Sequence, residues 1–148
     1  MSKHEDSIRE GASELLEPGE QIVSALVVSP RGSGTAMAGG VAAGEIGARW
    51  SRKNREKAEG VGLVVKRNSG LALTNRRLLT LDLGISMTGG IKEVKGMLSE
   101  VPLDQVSGMK SKWNVLTIDA GRAQVKLECK PPAAKAIAKA FEGERATA

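Results

Sequence analysis

The stretch GLALTNRRLLTLD, Gly70 to Asp82, constrains the fold more tightly than any other part of this chain. Leu71 and Leu73 alternate with Ala72 and Thr74, and beyond the polar pair Asn75-Arg76, Leu79, Leu81 and Leu83 alternate with Leu78, Thr80 and Asp82. A period of two is the signature of a strand, in which every second side chain points to the same face. Two such runs around a short polar break predict a β-hairpin at the heart of a sheet, with its leucines on an inner face. Asn75 suits the turn through its tolerance of unusual backbone angles and its local hydrogen bonding.

The flanking segments extend this pattern. Ile8, Ala12, Leu15 and Leu16 recur at helical spacing, so residues 2–17 are expected to form a helix, opened by a Ser2/Glu5 capping box and closed by Pro18-Gly19. QIVSALVVS (Gln21 to Ser29) reads as a strand stopped by Pro30, and VGLVVKR (Val61 to Arg67) as another, followed by an NSG turn. Gly84 to Glu100 lacks a clean period and reads as a strand end and loop. VPLDQVSGMKSK offers a short strand, and NVLTIDAGRAQVKLECK a hairpin turning at Asp119 to Arg122. Pro131-Pro132 opens a helix over residues 131–142, with Ala133, Ile137, Ala140 and Phe141 as its apolar stripe and Lys135, Lys139 and Glu142 facing water. Helix, about seven strands, helix: a single mainly β (α+β) domain over residues 1–148, a small barrel or sandwich capped by its last helix.

Composition narrows the function. A chain of 148 residues can bury a core of its own without disulfides or a structural metal. Its one cysteine, Cys129, leaves neither an intramolecular disulfide nor a zinc cluster built on several thiolates and fits a reducing cytoplasm; the N-terminus carries no apolar secretory region. The only histidine, His4, sits near the terminus, and no nucleophile-elbow, P-loop, dinucleotide or zinc-protease motif occurs, so the expectation is a non-enzyme with no cofactor and no metal. Cys129 reads as a structural thiol. The net charge of +5 leaves room for an anionic partner. Nucleic acid is a poor match, because Trp50, Trp113 and Phe141 are the only aromatic residues and are too scattered to stack bases.

Between the first two strands the composition changes sharply. Residues 31–60 are first glycine-rich, then basic. Gly32, Ala36, Gly40, Gly44 and Ala48 recur every four residues, one flat helical face suited to close packing against a second copy or the rest of the chain. About a dozen uncharged residues lie between Arg31 and Glu45, roughly 18 Å of helix, too short to span a bilayer core of about 30 Å. Val41 to Lys57 drawn as a helix sets Ala43, Ile46 and Trp50 apart from a basic face, as interfacial membrane helices do. Arg49, Trp50, Arg52, Lys53, Arg55 and Lys57 are therefore the candidate contacts for an anionic lipid. A packing helix, a loop and a membrane contact are the three alternatives for this insertion.

Several of these pieces resemble bacterial pleckstrin-homology-like (PH-like) domains. Leu16, Gly19 and Glu20 match a Leu-x-x-Gly-Glu entry, Leu71 to Leu78 match a Leu-Ala-Leu-Thr-x-Arg-Arg-Leu hairpin, and Val101 to Val106 resemble the Ile-Pro strand before the last hairpin. The likeness runs from Leu15 to Phe141, interrupted by the insertion. It implies a strongly bent, seven-stranded antiparallel structure closed by the C-terminal helix, serving as a binding or scaffolding module without catalysis. The expected partners are another protein or a second copy, with the anionic inner-membrane surface as an alternative through Arg49 to Lys57, and weak nonspecific nucleic-acid binding as a further one. Lys53-Asn54-Arg55 is similar to the Lys-x-Arg element of lipid-reading members but lies too far from the first strand. Arg76 and Arg77 read as turn and edge residues, with an anion site beside Lys66 and Arg67 as the competing possibility.

Overall fold

A computed structural model describes residues 3–30, 62–88, 90–121 and 123–147. Helix α1 (Lys3–Gly11) and a short 3-10 turn (Ser13–Leu15) lead into strand β1 (Ile22–Pro30). Strands β2 (Ser69–Thr74), β3 (Arg77–Ile85), β4 (Ile91–Pro102), β5 (Val106–Lys112), β6 (Val115–Ala120) and β7 (Ala123–Glu128) follow, and helix α2 (Pro131–Thr147) ends the chain. The seven strands form one antiparallel sheet in the order β4-β3-β2-β1-β7-β6-β5. β1 is the junction: residues 22–28 pair with β2, whereas only Ser29 and Pro30 pair with β7.

The central hairpin forms as its pattern predicts, with Leu73 opposite Leu78 and Leu71 opposite Thr80. Its leucines, however, do not share one face. Leu71, Leu73 and Leu78 join Leu26, Val28, Leu116, Ile118, Val125, Leu127, Ile137 and Phe141 in a core between the sheet and α2. Leu79, Leu81 and Leu83 lie with Ala72, Ala25, Ile22 and Ile8 in a second core beneath α1. Cross-strand partners point the same way, so the register sends Ala72 and Leu79 to one side and Leu73 and Leu78 to the other. The sheet is thus covered on both faces across β1 to β3, and every residue of β2 is buried. Gly70 fits this packing, since a Cβ there would come within 3.2 Å of the Leu81 Cβ on the facing strand.

Two expected elements change character. Val61 to Arg67 is not a strand in its described part, although Leu63 and Val65 are fully buried. Its backbone bonds to hydroxyls instead of a neighbouring strand: Val64 N–H donates to Ser99 Oγ at 3.0 Å, and Lys66 N–H to Ser69 Oγ at 2.8 Å. Conversely, residues 91–102, read as mostly loop, form the longest strand. β4 is an edge strand with three register irregularities against β3, which blur its alternation while Ile91, Val94 and Met97 lean on the α1-side core. Among the described residues the total of seven strands holds because the two differences offset.

The helices also differ at their ends. The N-terminal helix stops at Gly11, six residues short of its expected limit, where a Cβ would meet the Val94 side chain at 2.6 Å. Close approach of α1 to β4 needs a glycine there. Arg9 fastens this helix to β1, its Nη2 donating to Val23 O at 2.9 Å and to Glu5 Oε1 at 2.8 Å. Ser2 of the expected capping box lies outside the described residues. At the other end α2 continues past Gly143 to Thr147, and Arg145 donates to Ser107 O at the start of β5.

Because the hairpin feeds two cores, truncation on either face should be costly. Leu73→Ala and Leu81→Ala are each expected to lose about 2–5 kcal/mol in urea unfolding. A Leu81→Ala variant as stable as the parent would show that only the α2-side core matters.

Candidate functional site

The Leu16–Glu20 entry segment and the Leu71–Leu78 run meet at one end of the β2–β3 hairpin. Pro18 and Gly19 form a tight turn, Glu20 N–H donating to Glu17 O at 2.9 Å, with Gly19 at φ +81°, a left-handed angle that favours glycine. That turn aims Glu20 inward beneath the hairpin, where its side chain is fully buried. The Arg77 guanidinium meets it with two bonds, Nε to Oε2 at 2.9 Å and Nη2 to Oε1 at 2.8 Å. Thr74 Oγ1 donates to Glu20 Oε2 at 2.7 Å, and Glu17 N–H donates to Oε1 at 3.0 Å.

The rest of the hairpin end completes the network. Arg77 also donates to Leu15 O at 3.2 Å and pairs with Glu100 on β4. Thr74 Oγ1 accepts the backbone N–H groups of Arg76 and Arg77 at 3.1 and 3.0 Å. Asn75 binds the entry segment through three bonds: its N–H to Gln21 O, its Oδ1 from Gln21 N–H, and its Nδ2 to Gly19 O. Its φ is not positive, so hydrogen bonding rather than backbone tolerance explains Asn75 at this turn. Arg76 pairs with Glu17 at 3.1 Å on the surface.

Electrostatics follow from this geometry. The Arg77 hydrogen bonds hold the Glu20 carboxyl well below the ordinary carboxylate range, at about 2, against the opposing effect of burial. Glu20 in turn pushes the Arg77 ionisation above its usual value, with Glu100 adding to it. Both groups are fixed as ions, each satisfied by the other, which suits a permanent clasp and leaves no free base or acid.

The anion site once open to Arg76 and Arg77 does not form. Lys66 and Arg67 precede β2 and the arginine pair follows it, so the six residues of that strand separate them by roughly 17–20 Å. The arginines are also committed to Glu17, Glu20 and Glu100. The candidate lipid contacts Arg49, Trp50, Arg52, Lys53, Arg55 and Lys57 lie outside the described residues, as do the candidate self-association residues Gly32, Ala36, Gly40, Gly44 and Ala48.

Cys129 is half-buried at the end of β7, its N–H donating to Asn114 O at 2.9 Å. Burial pushes its thiol up to about 11, so it stays protonated at neutral pH and is a weak nucleophile. Among the described residues no three His, Cys, Asp or Glu side chains gather in a way that could hold a metal, and no helix is long and apolar enough to cross a membrane. One feature escapes a pattern search. Trp113, at the β5–β6 turn, is 77% exposed with φ +51°. Its position between the strand-like runs GMKSK and VLTID was the available signal. No protein-family model, curated protein or solved structure matches this chain.

The Glu20 clasp makes a pH prediction with a definite sign. Its folded pKa lies below the ordinary value of 4.5, so its contribution is complete above that value and is lost as pH falls towards 2. The shift corresponds to about 3 kcal/mol. Glu20→Gln should be less stable than the parent by that order near neutrality, and the gap should close as pH falls from about 5 to about 2. A gap independent of pH would remove the charge from the explanation.

Proposed function

We propose that this chain is a non-catalytic PH-like binding module that associates with a protein partner or with a second copy of itself. The observation that carries the reading is the topology: seven antiparallel strands in the order β4-β3-β2-β1-β7-β6-β5, with a C-terminal helix packed on β5, β6 and β1. The likeness in sequence implies seven antiparallel strands closed by a C-terminal helix. Fold analogy supports a class of module rather than a ligand. A second line of support is the use made of the ionisable groups at the motif: Glu20, Arg77 and Glu100 join chain segments to one another.

Self-association is the form of binding that the small-residue face of Gly32, Ala36, Gly40, Gly44 and Ala48 would serve, if it packs against a second copy and not against the rest of its own chain. Light scattering should then give a multiple of the 15.5 kDa chain mass, and Gly44→Leu should lower that mass by steric exclusion. A monomeric parent that captures no second copy at any salt concentration would leave a protein partner as the only form of the proposal. A substrate turned over by the purified chain would overturn it.

A further inference from the structure

We infer that α1 is a hinged cover: residues 3–14 lift off the sheet as a unit while the rest of the fold stays closed. The inference does not depend on the PH-like reading; it starts from how little the helix buries. Within α1 only Ile8 is buried, and buried Ala12 follows directly after the helix. Beneath them lie Ala25, Ala72, Leu79 and Leu81, each 3% exposed or less. By contrast α2 sinks Ala134, Ile137 and Phe141 into the other core and spans 17 residues against nine. Nine residues are too few for a helix that stands without packing, so α1 persists only while its contacts do. The cover is also partial, for Ile85, Ile91, Val94 and Met97 stay half-buried around it.

One contact works against docking. His4 shares a helix face with Ile8, one turn away, and its Nδ1 is buried with no hydrogen-bond partner. Lifting the helix returns that nitrogen to water, so closure forfeits a hydrogen bond. Against this stand the burial of Ile8, the fit of Gly11 on Val94, and the bond from Arg9 Nη2 to Val23 O at 2.9 Å. The hinge is set by where the clasp begins. Leu15 O accepts from Arg77, Glu17 N–H donates to Glu20, and the Glu17 side chain pairs with Arg76. The chain from Leu15 is thereby tied to the β2–β3 hairpin. Between this tie and the helix lies only the 3-10 turn Ser13–Leu15, entered at Ala12 with φ −94° and ψ −2°. A lightly held helix next to a buried ion pair opens locally, and the clasp stops the opening from spreading into β1. The surface it uncovers is the apolar face of Ala72, Leu79 and Leu81.

Native-state amide exchange on the full chain, with urea varied below the unfolding transition, tests this. The amides of Ile8, Arg9 and Ala12 should exchange at least about a hundredfold faster than those of Ala72 and Leu73, at a rate nearly independent of urea. His4→Leu should slow the α1 amides by more than the roughly twofold that helix propensity alone allows. Exchange unchanged by that substitution would overturn the part assigned to His4. A second measurement reads the uncovered face. In a Cys129→Ser background, the Ala72→Cys thiol should react with a water-soluble thiol reagent in native buffer. The Val125→Cys thiol, equally buried but on the α2 side, should stay protected until the chain unfolds. Amides of α1 that share the rate and urea dependence of β2, or a residue-72 thiol as protected as the residue-125 one, would overturn the inference.

Discussion

Everything at the motif end of this molecule is organised around one buried ion pair, Glu20 with Arg77. It joins the entry segment to the central hairpin, and through Glu100 it reaches β4. Three segments far apart in sequence are thereby brought to one point. Burying a carboxylate costs several kcal/mol, and a single attraction would not offset it. Here the geometry is favourable: two parallel bonds from a planar guanidinium, with Thr74 and the Glu17 N–H bonding to the same carboxylate. Removing either partner would leave a buried charge without its counter-ion, so the pair specifies where the entry segment must sit as well as holding it there.

The clasp sits where the sheet most needs alignment. A two-sided sheet has no polar face to fix its register, yet a slip of one residue would exchange the two cores. Side-chain volumes supply part of the discrimination: Ala72 and Gly70 stand opposite Leu79 and Leu81 on the α1 side, whereas Leu73 stands opposite Leu78 on the α2 side. The ion pair supplies the rest, because Glu20 reaches Arg77 and Thr74 only in one register. Ser69 and Thr80, both buried, are satisfied locally by Lys66 and Ser99, so neither asks for a different arrangement.

Much of this was legible in the residues. The period-two leucines located the hairpin, the turn at Gly121 fell where predicted, and the helical stripe containing Ile137 and Phe141 packed as expected. What could not be read depends on neighbours distant in the chain. Leu63 and Val65 have a strand's alternation, but Ser99 and Ser69 take the hydrogen bonds that a ladder would have used. β4 is a strand whose pattern is broken by bulges against β3. The site was legible only in part: Gly19, Glu20 and Arg77 stood out as a motif, while their union as a structural clasp required the fold. Trp113 was visible as a residue, but its exposure and backbone angle were not.

The central claim is that the motif residues serve one another. A double-mutant cycle on Glu20→Ala and Arg77→Ala, followed by urea unfolding, measures this directly, because the two side chains touch and their coupling can be separated from each single loss. The account predicts a coupling of about 2 kcal/mol or more, with the double variant far less damaged than the sum of the singles. Additive losses, with coupling within about 0.5 kcal/mol of zero, would contradict it.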